Sequence, residues 1–245
     1  MTDLVVKNDA IKSQSHLKFI DLFAGIGGFH LALHNQGAEC VFAAEINPKC
    51  RETYKNNFNI ISPEIFQKDL FADDITLVDP NSIPEHHILC AGFPCQPFSI
   101  SGRQKGFEDT RGTLFFNVLK IIEAKNPTVV FLENVKHLVH HDKGRTLQVI
   151  IDKLEDLGYF VEWRVLNAKD FGLAQNRERI IIIASNNSCF DFRQVQGIGS
   201  AIIKDILDDD NFEYLPQEEY TLLPANLGKQ QKSGLIFCGY RNKTI

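Results

Sequence analysis

Short apolar runs alternate with amphipathic stretches through most of this 245-residue chain. Lys18 to Phe23, Glu39 to Glu45, His87 to Ala91 and Thr128 to Glu133 are of strand length and rich in β-branched or aromatic residues, which suits buried parallel strands. Between them, Phe29 to Gln36, Pro48 to Phe58 and Thr113 to Ala124 carry apolar residues at helical spacing, with Pro48 suited to a first turn, where its missing N–H costs nothing. A helix over about Arg145 to Leu157 is predicted to end at Gly158. Strands at Phe160 to Leu166 and Arg179 to Ser185 then close the sheet as a hairpin-like edge. The alternation predicts a doubly wound α/β fold, mostly parallel with an antiparallel edge strand. Residues 1–16 are polar and without a period, and read as an N-terminal arm.

Composition narrows the function more than the fold. A formal net charge of -5 argues against holding nucleic acid by general positive charge, so any such surface is local. The six cysteines have no Cys-x-x-Cys spacing, and a chain this long does not need disulfides, which points to a reducing, cytoplasmic setting. The longest apolar runs, such as Ile180 to Ala184, are strand-sized, and the N-terminus has no basic-then-apolar leader pattern, so neither export nor a membrane is implied. Asp205 to Glu219 holds seven acidic residues and no basic one, whereas Tyr220 to Ile245 holds four basic residues and no acidic one. That shift predicts a boundary near residue 220.

Two stretches carry candidate chemistry at strand ends, where sites in open α/β sheets collect. Asp21-Leu22-Phe23-Ala24-Gly25-Ile26-Gly27-Gly28 joins a predicted strand to a predicted helix, and its glycines allow close approach of a ligand to the backbone. Glu45, about 20 residues past the first glycine, ends the second strand, where an acid can bond ribose hydroxyls, and Asp69 is expected near the end of a third. The turn lacks the third glycine of the dinucleotide fingerprint, which favours S-adenosylmethionine over a nicotinamide or flavin dinucleotide. The second stretch, Gly92-Phe93-Pro94-Cys95-Gln96-Pro97-Phe98-Ser99, puts a thiol just past a strand end, followed by a basic, glycine-hinged loop to Gly112. The other cysteines, Cys40, Cys50, Cys90, Cys189 and Cys238, read as inert buried residues.

Glu133 ends an otherwise apolar run that supplies it with no basic neighbour, so desolvation is expected to favour its neutral, proton-donating form. Arg177 and Arg179 alternate at the entry to a strand, where they share a face and can contact a base edge or a phosphate.

Taken together, four motifs in order from about Phe19 to Ser185 resemble the C5-cytosine DNA methyltransferases of bacterial restriction-modification systems: the Asp21 to Gly28 turn, the Gly92 to Ser99 loop, Glu133-Asn134-Val135, and Gln175-x-Arg177-x-Arg179. The resemblance implies a Rossmann-like S-adenosylmethionine-dependent domain over 17–219. Its cofactor contacts would be Phe23, Ala24, Gly25, Gly27, Gly28, Glu45, Ile46, Asp69 and Pro94, with S-adenosylhomocysteine as product and no metal. It also implies Cys95 as nucleophile, Glu133, Arg177 and Arg179 as the catalytic groups around the target cytosine, and DNA contacts from Gln96, Ser99, Ser101, Arg103, Lys105 and Arg111 in a loop that closes over double-stranded DNA. Members of this family continue into a target-recognition region and end on a Gly-Asn-Ser-Val-like segment on a helix that returns to the catalytic domain. Residues 220–245 are expected to begin that region or to form a subunit-contact tail. The recognition region and closing helix are expected on a second subunit, with a cognate restriction endonuclease as functional pair; the alternatives are a truncated, inactive methyltransferase fragment and a non-catalytic DNA-binding or regulatory protein.

Overall fold

The computed structural model describes residues 17–94, 114–202, 220–221 and 240–241. The N-terminal arm, Cys95 and the loop contacts Gln96, Ser99, Ser101, Arg103, Lys105 and Arg111 lie outside the described residues. The fold divides after Ile202 into two units, earlier than the charge shift near residue 220. In the second unit, Tyr220–Thr221 and Tyr240–Arg241 pair as antiparallel strands.

Seven strands build the sheet of the first unit: β1 (Lys18–Leu22), β2 (Glu39–Ala44), β3 (Phe71–Ala72), β4 (Ile88–Ala91), β5 (Val129–Val135), β6 (Phe160–Asn167) and β7 (Glu178–Ser185), in the order β3-β2-β1-β4-β5-β7-β6. β1 to β5 pair in parallel, and β7 runs antiparallel to both of its neighbours. The antiparallel closure expected from the sequence is therefore present, but the reversed strand is β7, second from the edge. Side-chain chemistry explains the order. The Ile180 to Ala184 run is apolar on both faces and suits an inner strand, whereas β6 carries Glu162 and Arg164 among exposed positions and suits an edge.

Helices α1 (Gly28–His34), α2 (Pro48–Phe58) and α3 (Pro63–Gln67) pack on one face, where Leu33, Tyr54, Phe58 and Ile65 meet Phe19, Cys40, Ala43 and Phe71. α2 starts where Asn47 accepts hydrogen bonds from the Lys49 and Cys50 N–H groups ahead of Pro48. α4 (Leu114–Lys125) and α5 (Arg145–Asp156) cover the other face, bringing Phe115, Val118, Ile122, Leu147, Ile150 and Leu154 against Ile20, Leu22, Leu89, Val130, Leu132 and Ile182. α5 closes at a left-handed Gly158, as its sequence predicts.

Coverage is uneven. On the side of α1 to α3, α1 reaches β5 through Phe29 on Phe131, no α-helix among the described residues covers β7 and β6, and a groove of about 1030 Å³ opens there. Its floor is Val129, Phe131, Ile181 and Ile183, its walls include Phe171, Phe190 and Phe192, and one end reaches Glu133, Arg177 and Arg179.

Candidate active site

The glycine turn leaves β1 and folds back into α1 within a few residues, which forces unusual backbone. Phe23, Gly25 and Gly27 all adopt left-handed conformations, with φ of 57°, 57° and 95°. A Cβ on Gly27 would lie inside the ring of Phe58, so glycine is required there for two reasons. Glu45, just past β2, braces the turn: one carboxylate oxygen accepts the Gly25 N–H and the other the Asn47 N–H, both at 2.8 Å.

Beside this brace lies a cavity of about 300 Å³ at the carboxyl ends of β1, β2 and β4. Phe23, Ile46 and Ile75 give it apolar walls, and Glu45, Asp73 and Asp74 give it carboxylates. An apolar slot rimmed by acceptors suits a nucleoside, whose hydroxyls and exocyclic amine are donors. Of the expected cofactor residues, Phe23, Glu45, Ile46 and Pro94 line the cavity, and Gly25 is tied to Glu45. Ala24 is buried, its N–H donating to the Ala44 carbonyl, while Gly27 and Gly28 form the start of α1.

Asp69 corrects the sequence reading. It precedes β3 instead of ending it, so it stands at the far end of that strand and is not among the residues lining the cavity. Asp73 and Asp74 occupy the carboxyl end. β3 is only two residues long, set by pairing of Phe71 with Ala43 and Ala72 with Ala44, and so short a strand leaves no period to read. Asp74 accepts from both the N–H and the hydroxyl of Thr76, and Asp73 pairs with Arg51, whose guanidinium lies 5.1 Å from the centre of the Phe71 ring.

Glu133 also differs from expectation. It is a quarter exposed and accepts from Arg179 Nε at 2.8 Å, with Arg177 Nη2 at 4.0 Å. The isolated acid expected from the sequence is therefore an ion-paired one. Its partners arrive through the antiparallel pairing of β5 with β7, which sets Val135 opposite Arg179 and no neighbouring sequence could reveal. Arg179 also donates to the Glu178 carbonyl, and Asn167 accepts the Arg177 N–H, so both arginines leave a braced backbone.

Gly92 links the two halves of the site. It lines this cavity, and a Cβ built on it would come 3.6 Å from a Glu133 oxygen. Cys40 and Cys90 are buried, and burial pushes both thiols up, so they stay protonated and inert as expected. Cys189 is not buried: it is exposed, lines the groove, and donates to Glu162.

One group escaped the sequence reading. Asp21 is fully buried, with neither oxygen in a well-formed hydrogen bond. Burial pushes its carboxyl well above the ordinary range; the nearby His30 N–H offsets part of this, and Glu45 adds to it. A carboxyl raised only in the folded state takes up a proton on folding. Stability is then fullest below the unfolded value, near pH ~4, and falls as pH rises toward the raised folded value. Asp21→Asn keeps the shape without the titration, and is expected to raise the melting temperature at pH 8 by at least about 2–4 °C, as ~1 kcal/mol does in a chain of this size. The gain should shrink toward pH 4. Melting below the parent at both pH values would show that the acid is not held neutral.

The profile of the C-5 cytosine-specific DNA methylase family matches residues 17–235. The chain belongs to that family. It is 45% identical over 219 residues to the Type II methyltransferase M.HhaI of Haemophilus parahaemolyticus, covering 88% of this chain and 64% of that protein. Over 174 residues it is 55% identical to the Type II methyltransferase M.HpaII of Haemophilus parainfluenzae, covering 69% of this chain and 46% of that one. The chain thus spans less than two thirds of the length of these methylases. The crystal structure of the S. pombe Dnmt2 methyltransferase shares the fold, with a TM-score of 0.64 at 24% identity over 89% of this chain and 67% of that one.

Proposed function

We propose that the chain is the catalytic part of a restriction-modification enzyme that transfers a methyl group from S-adenosylmethionine to C5 of a cytosine flipped out of double-stranded DNA, working in the cytoplasm. The observation that carries this reading is the position of Gly92, between the nucleoside-sized cavity and the Glu133–Arg179 pair and three residues before Cys95. Phe23, Ile46 and Ile75 would hold the cofactor's base and sugar, and Glu45 its hydroxyls. The bound cofactor supplies an electrophilic methyl sulfonium.

Cytosine C5 is too weak a nucleophile to take that methyl unaided. The Cys95 thiolate adds to C6, forming a C–S bond and making C5 an enamine carbon. Glu133 in its protonated form gives its proton to N3 as the thiolate adds, Arg179 holds the carboxylate left behind, and the proton returns to Glu133 when the thiolate departs. C5 then receives the methyl group as its bond to sulfur breaks, leaving S-adenosylhomocysteine. Loss of the C5 proton to a base and departure of the thiolate restore the aromatic ring. A thiol cannot reach C6 inside a stacked duplex, which gives the basic loop after Cys95 its role around the flipped base.

We assign target recognition and a closing helix to a second chain. Sheets of this class bury both faces, and the apolar floor of the groove over β5 and β7 is of the kind an amphipathic helix covers. Transfer of tritiated methyl to duplex DNA, measured for this chain with and without the product of the adjacent reading frame, tests the reading. Strong stimulation by the second product is expected, together with a covalent adduct on duplexes containing 5-fluorocytosine. No transfer and no adduct with both products present would overturn it.

A further inference from the structure

β4 ends at Ala91, opposite Leu132, while β5 continues to Val135. Past that point the parallel ladder stops, and the side chain of Asn134 reaches the chain that follows β4. Its amide Nδ2 donates to the Phe93 carbonyl at 2.8 Å across 41 residues of sequence, and its Oδ1 accepts the Val135 N–H at 2.8 Å. Both ends of the amide are thus spoken for, and the residue is only 3% exposed.

The alternation of β5 asks for something else here. Val130, Leu132 and Asn134 point to one face, and the first two are apolar core residues. An apolar side chain would suit the burial but would leave the Phe93 carbonyl without this donor. The Phe93 ring is itself packed against Phe115, so carbonyl and ring fix this residue from two directions. Glu133 and Asn134 therefore form a pair with opposite outlooks: the acid turns to Arg179, and the amide ties down the segment that leads through Pro94 to Cys95.

We infer that Asn134 is a positioning residue for the proposed methyl transfer, holding the Phe93–Pro94 segment at a fixed distance from the Glu133–Arg179 pair. The inference rests on the reading of Cys95 as nucleophile. Asn134 touches neither substrate nor cofactor; it acts through the backbone ahead of the thiol. A displacement of the order of 1 Å between reacting groups costs about a hundredfold in rate, so the tie has a kinetic signature larger than a structural one.

Three proteins, each with the second chain present, test this: the parent, Asn134→Ala and Asn134→Asp. Asn134→Ala is expected to lower the single-turnover rate, and the rate of adduct formation with 5-fluorocytosine DNA, by about a hundredfold, while the affinity for S-adenosylmethionine changes less than about fivefold. Asn134→Asp is nearly isosteric and is the decisive variant should the alanine protein not fold. As a carboxylate it faces the Phe93 carbonyl with like polarity; once protonated, its O–H can donate there as the amide did. Its rate relative to the parent should therefore rise as pH falls from 8 to 6, whereas any alanine ratio stays flat. Parental rates in both variants, or an aspartate ratio that does not change with pH, would overturn the inference. Failure of the parent itself to form an adduct would instead overturn the proposed function.

Discussion

Replacing Cys95 with serine is expected to reduce methyl transfer by on the order of a thousandfold or more, the scale on which losing a covalent nucleophile is felt. A thiol ionises far more readily than a hydroxyl and is a soft nucleophile suited to a polarised C6. A serine hydroxyl is not appreciably ionised at neutral pH. The cavity proposed for the cofactor should be little affected, because its walls come from Phe23, Ile46 and Ile75 and its brace from Glu45. The expected result is therefore a split: binding of S-adenosylmethionine by calorimetry within about threefold of the parent, a difference of under 1 kcal/mol, with neither transfer nor 5-fluorocytosine adduct. Transfer at the parental rate would remove Cys95 from the mechanism, and Cys90 is no substitute, being buried with its thiol pushed up.

Gly27→Ala should be the most damaging change to the fold within the cofactor turn. At φ 95° a non-glycine residue is strained, which costs ~1–2 kcal/mol. The added methyl would also overlap the Phe58 ring, which is stacked on His30 with centroids 3.9 Å apart and has no empty space to enter. Overpacking of this kind costs ~1–3 kcal/mol, so a loss of about 2–5 kcal/mol is expected, a large share of the ~5–15 kcal/mol that holds a domain together. Denaturant unfolding measures it directly. Gly28→Ala is the control, because a Cβ there meets nothing within 4 Å. Equal stability of the two variants would show that the turn tolerates a side chain at Gly27 after all.

How far each site residue could be read from sequence follows from the range of the interaction that positions it. Glu45 was legible because the acid ends a six-residue strand with a clear apolar pattern, and it lines the cavity as expected. Asp69 was misread because β3 is two residues long, so the choice among Asp69, Asp73 and Asp74 rests on pairing with β2. The isolation inferred for Glu133 failed for a related reason. The run that precedes it in sequence is apolar; its cation arrives from β7. The sequence set Asn134 and Asp21 inside two motifs but gave neither a partner, since an amide or acid within an apolar strand looks alike whether its partner is a distant carbonyl or nothing.

The sequence alone determined the alternation of the longer strands and helices, the glycine turn, the cysteine loop and the family, because each is written in contiguous residues: a hydrophobic period, a glycine spacing, a short motif. Tertiary structure decided which acids reach the cavity, what Glu133 pairs with, how Asn134 binds the Phe93 carbonyl, and which part of one sheet face the described α-helices leave open. Those outcomes depend on strand register and on hydrogen bonds between residues far apart in the chain, and local periodicity holds no record of them.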